Sequence, residues 1–461
     1  MRVAPALPKL IIEAIVIGCI ICWSATWFVK SAMPIWGGWL HIVGCLCYSS
    51  LTVAIAFGLR WTSQFPLPSA AAITALIAVL VEFMQARTLG VTWILSNAAL
   101  AVAATPLAQW SGVLSPFGLS AVLYWINFSW LPDVKQSRFV CRWAGPMVAL
   151  VLTIGLWLGG MHIESQVAVG PPPFSSLLVQ PASPTDSMAQ RQNLWRMLDS
   201  ATRRSLVGDG AVDLVLWPET SLWESWFADL DLQNAKHTTA VELVNWEETS
   251  DNTTLTLPAF RHRLACDYQT NCLVGVYLLR NTTSEKYGLT FPEVRRYNCG
   301  CMVDKNGQIS CYEKRVIVPL REGFPYWFDW QWLKDMVESR SRFSPNIVEG
   351  RGFQTFRFTD SHGMLRTVAV AICYESWLPW LPQYHCEEPL DAICHLAYDG
   401  DFKDHPEYTQ RMLLTIRLRA IETRTWQLVC SHYAGTAVID PRGRIVKQLP
   451  PGPGVLRTDQ L

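Results

Sequence analysis

Three side chains of this sequence, Cys373, Glu219 and Lys314, are of the types that together break acyl bonds. Cys373 lies in Val368 to Trp377, VAVAICYESW, where small and β-branched apolar residues read as a buried strand that delivers a thiol to its exposed end. Taken alone, such a cysteine reads as a small core residue. A thiol attacks a carbonyl as its thiolate, so it needs a base, and a carboxylate serves when burial raises its pKa. Glu219 follows a second predicted buried strand, Val212 to Trp217, in Pro218-Glu219-Thr220. Attack also places negative charge on the carbonyl oxygen, which a fixed cation stabilises in a dry site. Lys314 ends Tyr312-Glu313-Lys314, the last residues of a predicted hairpin arm.

The elements that must hold these groups alternate between strands and helices. Ser175 to Val179 reads as a first strand, residues 187–206 as an amphipathic helix and Cys272 to Leu279 as a further strand. Tyr297 to Val303 and Gln308 to Lys314 form a hairpin about Asn306-Gly307, a strong turn signal. Thr367 to Tyr374 and Asp391 to Tyr398 are two more strands, and Tyr408 to Thr425 is a helix whose arginines read as a solvated face. A last hairpin runs from Leu428 to Ile439 and from Arg444 to Val446, turning at Pro441-Arg442-Gly443. Such alternation predicts an α/β sandwich with its active groups at strand ends.

The first part of the chain is different. Half of the 461 residues are hydrophobic, 22 are Trp and only 16% are charged, and charges are scarce up to about residue 162. Apolar runs at roughly 10–29, 35–58, 68–84, 90–109, 112–130 and 143–161 approach the ~20 residues that a membrane-spanning helix needs. The domain reading is therefore a transmembrane helical domain over 1–162 with about six spans, a Pro/Gly-rich linker over 163–174 and an α/β domain over 175–461. Glu13 and Glu82 lie inside or at the edge of these runs, at a depth where charge is costly. Lys135, Arg138 and Arg142 make the loop before the last run cytoplasmic, which places the α/β domain outside the cytoplasm. Eight cysteines besides Cys373 follow residue 162, an even number that suits an oxidising compartment. Lys plus Arg and Asp plus Glu are equal at 38 each, so nucleic acid is not a partner on electrostatic grounds.

WPET at 217–220, YEK at 312–314 and CYE at 373–375 stand in the order and approximate spacing of the Glu, Lys and Cys motifs of the nitrilase superfamily of carbon-nitrogen hydrolases. With the apolar half, the chain resembles the membrane branch of that superfamily, apolipoprotein N-acyltransferase. Pro319 to Pro325, PLREGFP, is similar to the family loop that carries a second Glu, here Glu322. The resemblance implies a four-layer αββα domain on the outer face of a bacterial inner membrane. It implies Glu219 as general base, Cys373 as nucleophile forming a thioester and Lys314 as oxyanion stabiliser, with Glu322, Tyr374 and Glu375 in support. The implied donor is a phospholipid and the acceptor an amine such as the N-terminus of an apolipoprotein, and no metal or cofactor is required.

Three features depart from the family. Tyr398-Asp399-Gly400-Asp401-Phe402 replaces a usual Asn-Asp-Ala-Trp-Phe, so that Asp401 stands in place of Trp. Tyr433-Ala434-Gly435 replaces a usual Asn before Thr-Gly, and no apolar run follows before Leu461, where the family usually closes with another span. A membrane-tethered amidase or nitrilase on a carbon-nitrogen substrate, and a nitrilase-like conjugal-transfer protein of a plasmid, are therefore alternative expectations.

Overall fold

The computed structural model describes residues 7–32, 36–62, 65, 67–88, 98–130, 139–182, 188–222, 267–286, 289–318, 322–323, 347–350, 352–381, 384 and 386–461. They fall into two compact units. The first comprises Met1–Val169 with Trp377–Pro379 and Arg411–Arg424, and the second holds the remainder.

The first unit is helical: α1 (Leu7–Ala32), α2 (Trp36–Thr62), α3 (Leu67–Thr88), α4 (Ser111–Ser129) and α5 (Phe139–Gln166). Among the described residues, Gly44–Thr62, Ser69–Ala86 and Trp143–Gln166 are long and apolar enough to cross a membrane. The α5 helix is apolar around its circumference and leaves Met147, Val151 and Leu158 about 60% exposed, a surface suited to lipid rather than water.

The predicted fourth span, 90–109, is corrected. Its described residues form two short 3-10 turns, Ala98–Val102 and Pro106–Trp110, instead of an α-helix. Non-helical backbone at membrane depth needs partners inside the protein. Here the Glu82 carboxylate, 2% exposed, accepts the Ala98 N–H at 3.2 Å and the Tyr124 hydroxyl at 2.6 Å, while the Ala99 N–H donates to Ser120 Oγ at 3.1 Å. Glu13, by contrast, is exposed beside Lys9. The predicted cytoplasmic loop residues Lys135 and Arg138 lie outside the described residues.

In the second unit the strands are β1 (Ser176–Gln180), β2 (Leu214–Leu222), β3 (Asn271–Lys286), β4 (Leu289–Val303), β5 (Ile309–Glu313), β6 (Phe356–Thr359), β7 (Leu365–Ile372), β8 (Ala392–Ala397), β9 (Trp426–Ser431), β10 (Ala437–Ile439), β11 (Ile445–Gln448) and β12 (Gly454–Arg457). They build two six-stranded sheets, ordered β12-β1-β2-β3-β4-β5 and β11-β10-β9-β8-β7-β6. Strands β1, β2 and β3 run parallel, as do β7, β8 and β9. Strands buried on both faces read as continuous apolar runs, which is why LLV at 177–179, VLW at 215–217 and VAVAI at 368–372 were legible. Helix α6 (Met188–Asp209) covers the first sheet through Leu194 and Leu198, both fully buried. Truncating such a leucine costs about 2–5 kcal/mol. The sheets approach closely at Gly300, where a Cβ would stand 3.0 Å from Val370 and 3.3 Å from Leu396 of the other sheet.

Helix α7 (Pro406–Thr423) corrects the reading of its arginines as a solvated face. Arg419 is 2% exposed and its guanidinium meets Glu422 at 2.8 Å. Residues 411–424 belong to the first unit, where Leu418 and Ile421 pack with Ala99, Ala103 and Leu119 and where Arg424 donates to Gln109 at 2.8 Å. The predicted strand 428–439 is also corrected. It breaks at 432–436, because the Asp399 carboxylate accepts the backbone N–H groups of Tyr433, Ala434 and Gly435 and folds them into a turn.

Among the described residues β5 is an edge strand, paired on one side with β4. A disulfide joins Cys301 and Cys311, which face each other directly in that pairing. Replacing both by Ser should lower stability by about 2–3 kcal/mol, the loop-closure value for so short a loop. The measurement is the thermal midpoint of the oxidised protein with and without reductant. Only the wild type should lose stability on reduction.

Candidate active site

Glu219, Lys314 and Cys373 come from three strand ends and meet inside the second unit. Glu219 lies near the end of β2, where the pairing with β3 shifts register, and Lys314 directly after β5. Cys373 opens a 3-10 turn, Cys373–Trp377, directly after β7. The backbone enters the left-handed region at two of these points, with φ of 54° at Thr220 and 49° at Cys373. A side chain in this left-handed region costs about 1–2 kcal/mol and persists where surrounding contacts over-determine it.

The Lys314 ammonium is fully buried. It donates to both Glu322 oxygens at 2.8 Å and lies 3.5 Å from Glu219 Oε1. Glu322, read from sequence as a supporting residue, is thus the closer partner of the cation. Its own carboxylate also accepts the Val318 N–H at 2.7 Å. The other members of the PLREGFP loop lie outside the described residues, apart from Gly323. Asn298, which the sequence reading missed, is fully buried on β4. It donates to Glu219 at 2.7 Å and to Glu322 at 3.1 Å, and its carbonyl accepts the Lys314 N–H at 2.8 Å. The one signal for it was a lone amide inside the apolar stretch YNCGCMV at 297–303.

Burial is the largest influence on Glu219 and pushes its carboxyl above the usual carboxylate range. Lys314 pulls it down, Glu322 pushes it up, and hydrogen bonds from Asn298 and from the Cys373 thiol pull it down. Burial likewise raises the Cys373 thiol, helped by Glu219 and opposed by Lys314. On Lys314 burial works the other way, but Glu322, Glu219 and Cys373 outweigh it and hold the ammonium above its ordinary value. Because Glu322 takes the short contacts, it offsets most of the lysine charge and leaves Glu219 basic. The arrangement joins a thiol to a hindered base beside a permanent cation.

Glu375 has a different task. Fully buried, it accepts the Tyr312 hydroxyl at 2.8 Å, the N–H groups of Arg315 and Val316 at 2.8 and 3.3 Å, and the Ile372 N–H at 2.9 Å. Burial raises its carboxyl, and the Ile372, Tyr312 and Arg315 donors counter that rise, as does the charge of Lys314. It therefore ties the backbone just after Lys314 to the backbone just before Cys373. Tyr374 is buried beside it.

His432, also missed, donates from Nε2 to the Glu219 carbonyl at 2.5 Å and stacks edge-on to Tyr398 at 5.0 Å between ring centroids. The Tyr398 backbone in turn hydrogen-bonds the Cys373 thiol. Gly275 on β3 gives the β2 end its room. A Cβ there would fall on the Pro218 carbonyl oxygen and within 2.6 Å of Glu219 Cα. Asp401 lies half-buried in a separate turn, Gly400–Phe402. Among the described residues no group of His, Cys, Asp and Glu is arranged to hold a metal ion.

The sequence profile of the carbon-nitrogen hydrolases matches residues 178–459. An apolipoprotein N-acyltransferase of Chlorobaculum tepidum is 24% identical over 357 residues, which cover 75% of this chain and 62% of that protein. The chain thus spans less than two thirds of that relative's length. An apolipoprotein N-acyltransferase of Azotobacter vinelandii is 23% identical over 449 residues, covering 90% of this chain and 78% of that one. An amidase from Nesterenkonia sp. superposes with a TM-score of 0.38 at 17% identity, covering 63% of this chain and 91% of its own.

Every partner of Glu375 donates, so even the isosteric amide sets an N–H against an N–H. Glu375→Gln should cost about 1–3 kcal/mol and slow alkylation of Cys373, whereas Glu387→Gln, at an exposed position next to Glu388, should change neither. Denaturation and thiol-reactivity measurements on the purified protein check both.

Proposed function

The chain belongs to the carbon-nitrogen hydrolase family, and on that footing we propose that it is a membrane acyltransferase moving an acyl chain from a phospholipid to an amine through a thioester on Cys373. The observation that carries the reading is the meeting of Cys373, Glu219 and Lys314 from three strand ends, with the thiol hydrogen-bonded to the base. The apolar helices and the names of the two relatives supply the lipid and the amine.

In this mechanism Glu219 takes the thiol proton as the sulfur attacks the ester carbonyl. Negative charge gathers on the carbonyl oxygen, where the buried Lys314 ammonium opposes it in surroundings that water does not screen. The C–O bond then breaks, and Glu219 returns its proton to the departing lysolipid oxygen. The amine of a second substrate, such as the N-terminus of an apolipoprotein, next attacks the thioester. Glu219 takes its proton and gives it to the leaving thiolate, which restores the enzyme. A thiol raised by burial is not stored as thiolate, so deprotonation accompanies attack and requires the base at hydrogen-bonding distance.

A bacterial inner-membrane location with the second unit on the periplasmic side follows from the same reading, and the Cys301–Cys311 disulfide supports it, since such bonds persist in oxidising compartments.

Incubation with acyl-labelled phospholipid should leave a hydroxylamine-sensitive label on Cys373, and Cys373→Ala should abolish it. Label that survives in Cys373→Ala would refute the nucleophile assignment, and ammonia release from simple amides without lipid would favour an amidase. The pH profile gives a second check. Loading should fall as pH drops through the raised pKa of Glu219, because the protonated acid accepts no proton. Glu322→Gln removes a charge that raises Glu219 and leaves Lys314 less offset. Both effects lower the Glu219 pKa, so the acid limb should move to lower pH.

A further inference from the structure

Behind the Cys373 turn lies a polar chain that the mechanism does not use. Ser376 Oγ, 1% exposed, is 2.8 Å from His395 Nδ1, and His395 Nε2 is 2.8 Å from Gln427 Oε1. His395 and Gln427 are fully buried on β8 and β9, and the Gln427 amide donates to the Thr425 carbonyl at 2.8 Å. The Tyr384 ring stacks on the imidazole, with 6.5 Å between centroids, and the Tyr384 hydroxyl donates to the Glu375 carbonyl at 3.3 Å.

These contacts set the direction of the two hydrogen bonds to the ring. Because the Gln427 amide nitrogen is committed to Thr425, its oxygen faces the ring and accepts from His395 Nε2–H. A charged ring at full burial is costly, so Nδ1 is left bare and accepts the Ser376 hydroxyl proton. The chain thus runs one way, from Ser376 through His395 to Gln427. Its far end is anchored in β8 and β9, two interior strands of the second sheet. Its near end holds the 3-10 turn whose first residue, Cys373, sits at a φ of 49°.

We propose that His395 is a positioning residue for Cys373, which through Ser376 clamps the left-handed turn and keeps the thiol aimed at Glu219. The inference rests on the reading of Cys373 as the nucleophile. Glu375 secures the same turn to the loop after β5, and His395 secures it to β8 and β9, so that the strained backbone is held at two points. Without the second hold the turn relaxes toward ordinary φ and the thiol leaves its partner, the sort of small misplacement to which rate is steeply sensitive.

The test is the rate of iodoacetamide alkylation at Cys373, read by peptide mass spectrometry of the full-length protein, with the partly exposed Cys386 as an internal reference. Ser376→Ala and His395→Leu should each slow Cys373 about tenfold while Cys386 is unchanged, and the double variant should be no slower than either. His395→Asn, whose amide oxygen can replace Nδ1 as the acceptor, should stay within about threefold of wild type. General loosening would move both thiols together. The proposal is overturned if Ser376→Ala alkylates at the wild-type rate, if both thiols change together, or if His395→Asn is as slow as His395→Leu. Should His395→Leu not fold, Ser376→Ala, a loss of one oxygen, decides alone. Lipid-derived label surviving in Cys373→Ala would defeat the nucleophile assignment separately, because the alkylation ratio does not depend on acyl transfer.

Discussion

A lysine ammonium without any contact with water is the constraint to which the second unit answers. Removing one partner from such a pair costs about 3–5 kcal/mol, so Lys314 has to be met wherever its strand delivers it. Glu322 meets it at 2.8 Å through both oxygens, and Glu219 adds a looser contact. Asn298 links the two carboxylates and fixes the Lys314 backbone as well. The unequal distances divide the labour, since the carboxylate that neutralises the cation is not the one left to accept a proton. Swapping those distances would leave the same residues with a quenched base.

The two sheets share the work. Glu219, Asn298 and Lys314 come from the first, and Cys373, Tyr398 and His432 from the second. Glu219 and Lys314 are therefore set by one hydrogen-bonded ladder and Cys373 by another, and in the proposed mechanism the separation of the sheets becomes the distance between base and thiol. The missing side chain at Gly300 and the missing one at Gly275 serve that distance from two directions: the first lets the sheets approach, and the second lets β2 and β3 close around the Glu219 backbone.

Much of this was legible in the sequence because it is local. WPET, YEK and CYE each couple an apolar run to a reactive group within a few residues, and each is found at a strand end. What escaped is non-local. Asn298, His395 and His432 are single polar residues inside apolar strands, and their meaning depends on strands far away in sequence. The helix arginines looked solvated because periodicity cannot show that residues 411–424 pack within the helical unit. The run at 90–109 passed as a span because hydropathy does not register a carboxylate such as Glu82 tying down non-helical backbone. The strand predicted over 428–439 broke because Asp399 is a partner invisible to local propensity. The strands β3 and β4 extend well beyond their apolar cores, since a two-stranded ribbon continues wherever both chains remain paired.

The left-handed backbone at Cys373 has an implication for how this protein can decay. At that position glycine relieves the strain that a Cβ imposes, about 1–2 kcal/mol, so the change that in the proposed mechanism abolishes the chemistry also favours the fold. Selection for folding alone therefore pushes against the proposed nucleophile. If the proposed acyl transfer holds, a lineage freed from the need for it would be expected to lose this cysteine early and to keep the two sheets, leaving well-folded descendants with a silent site.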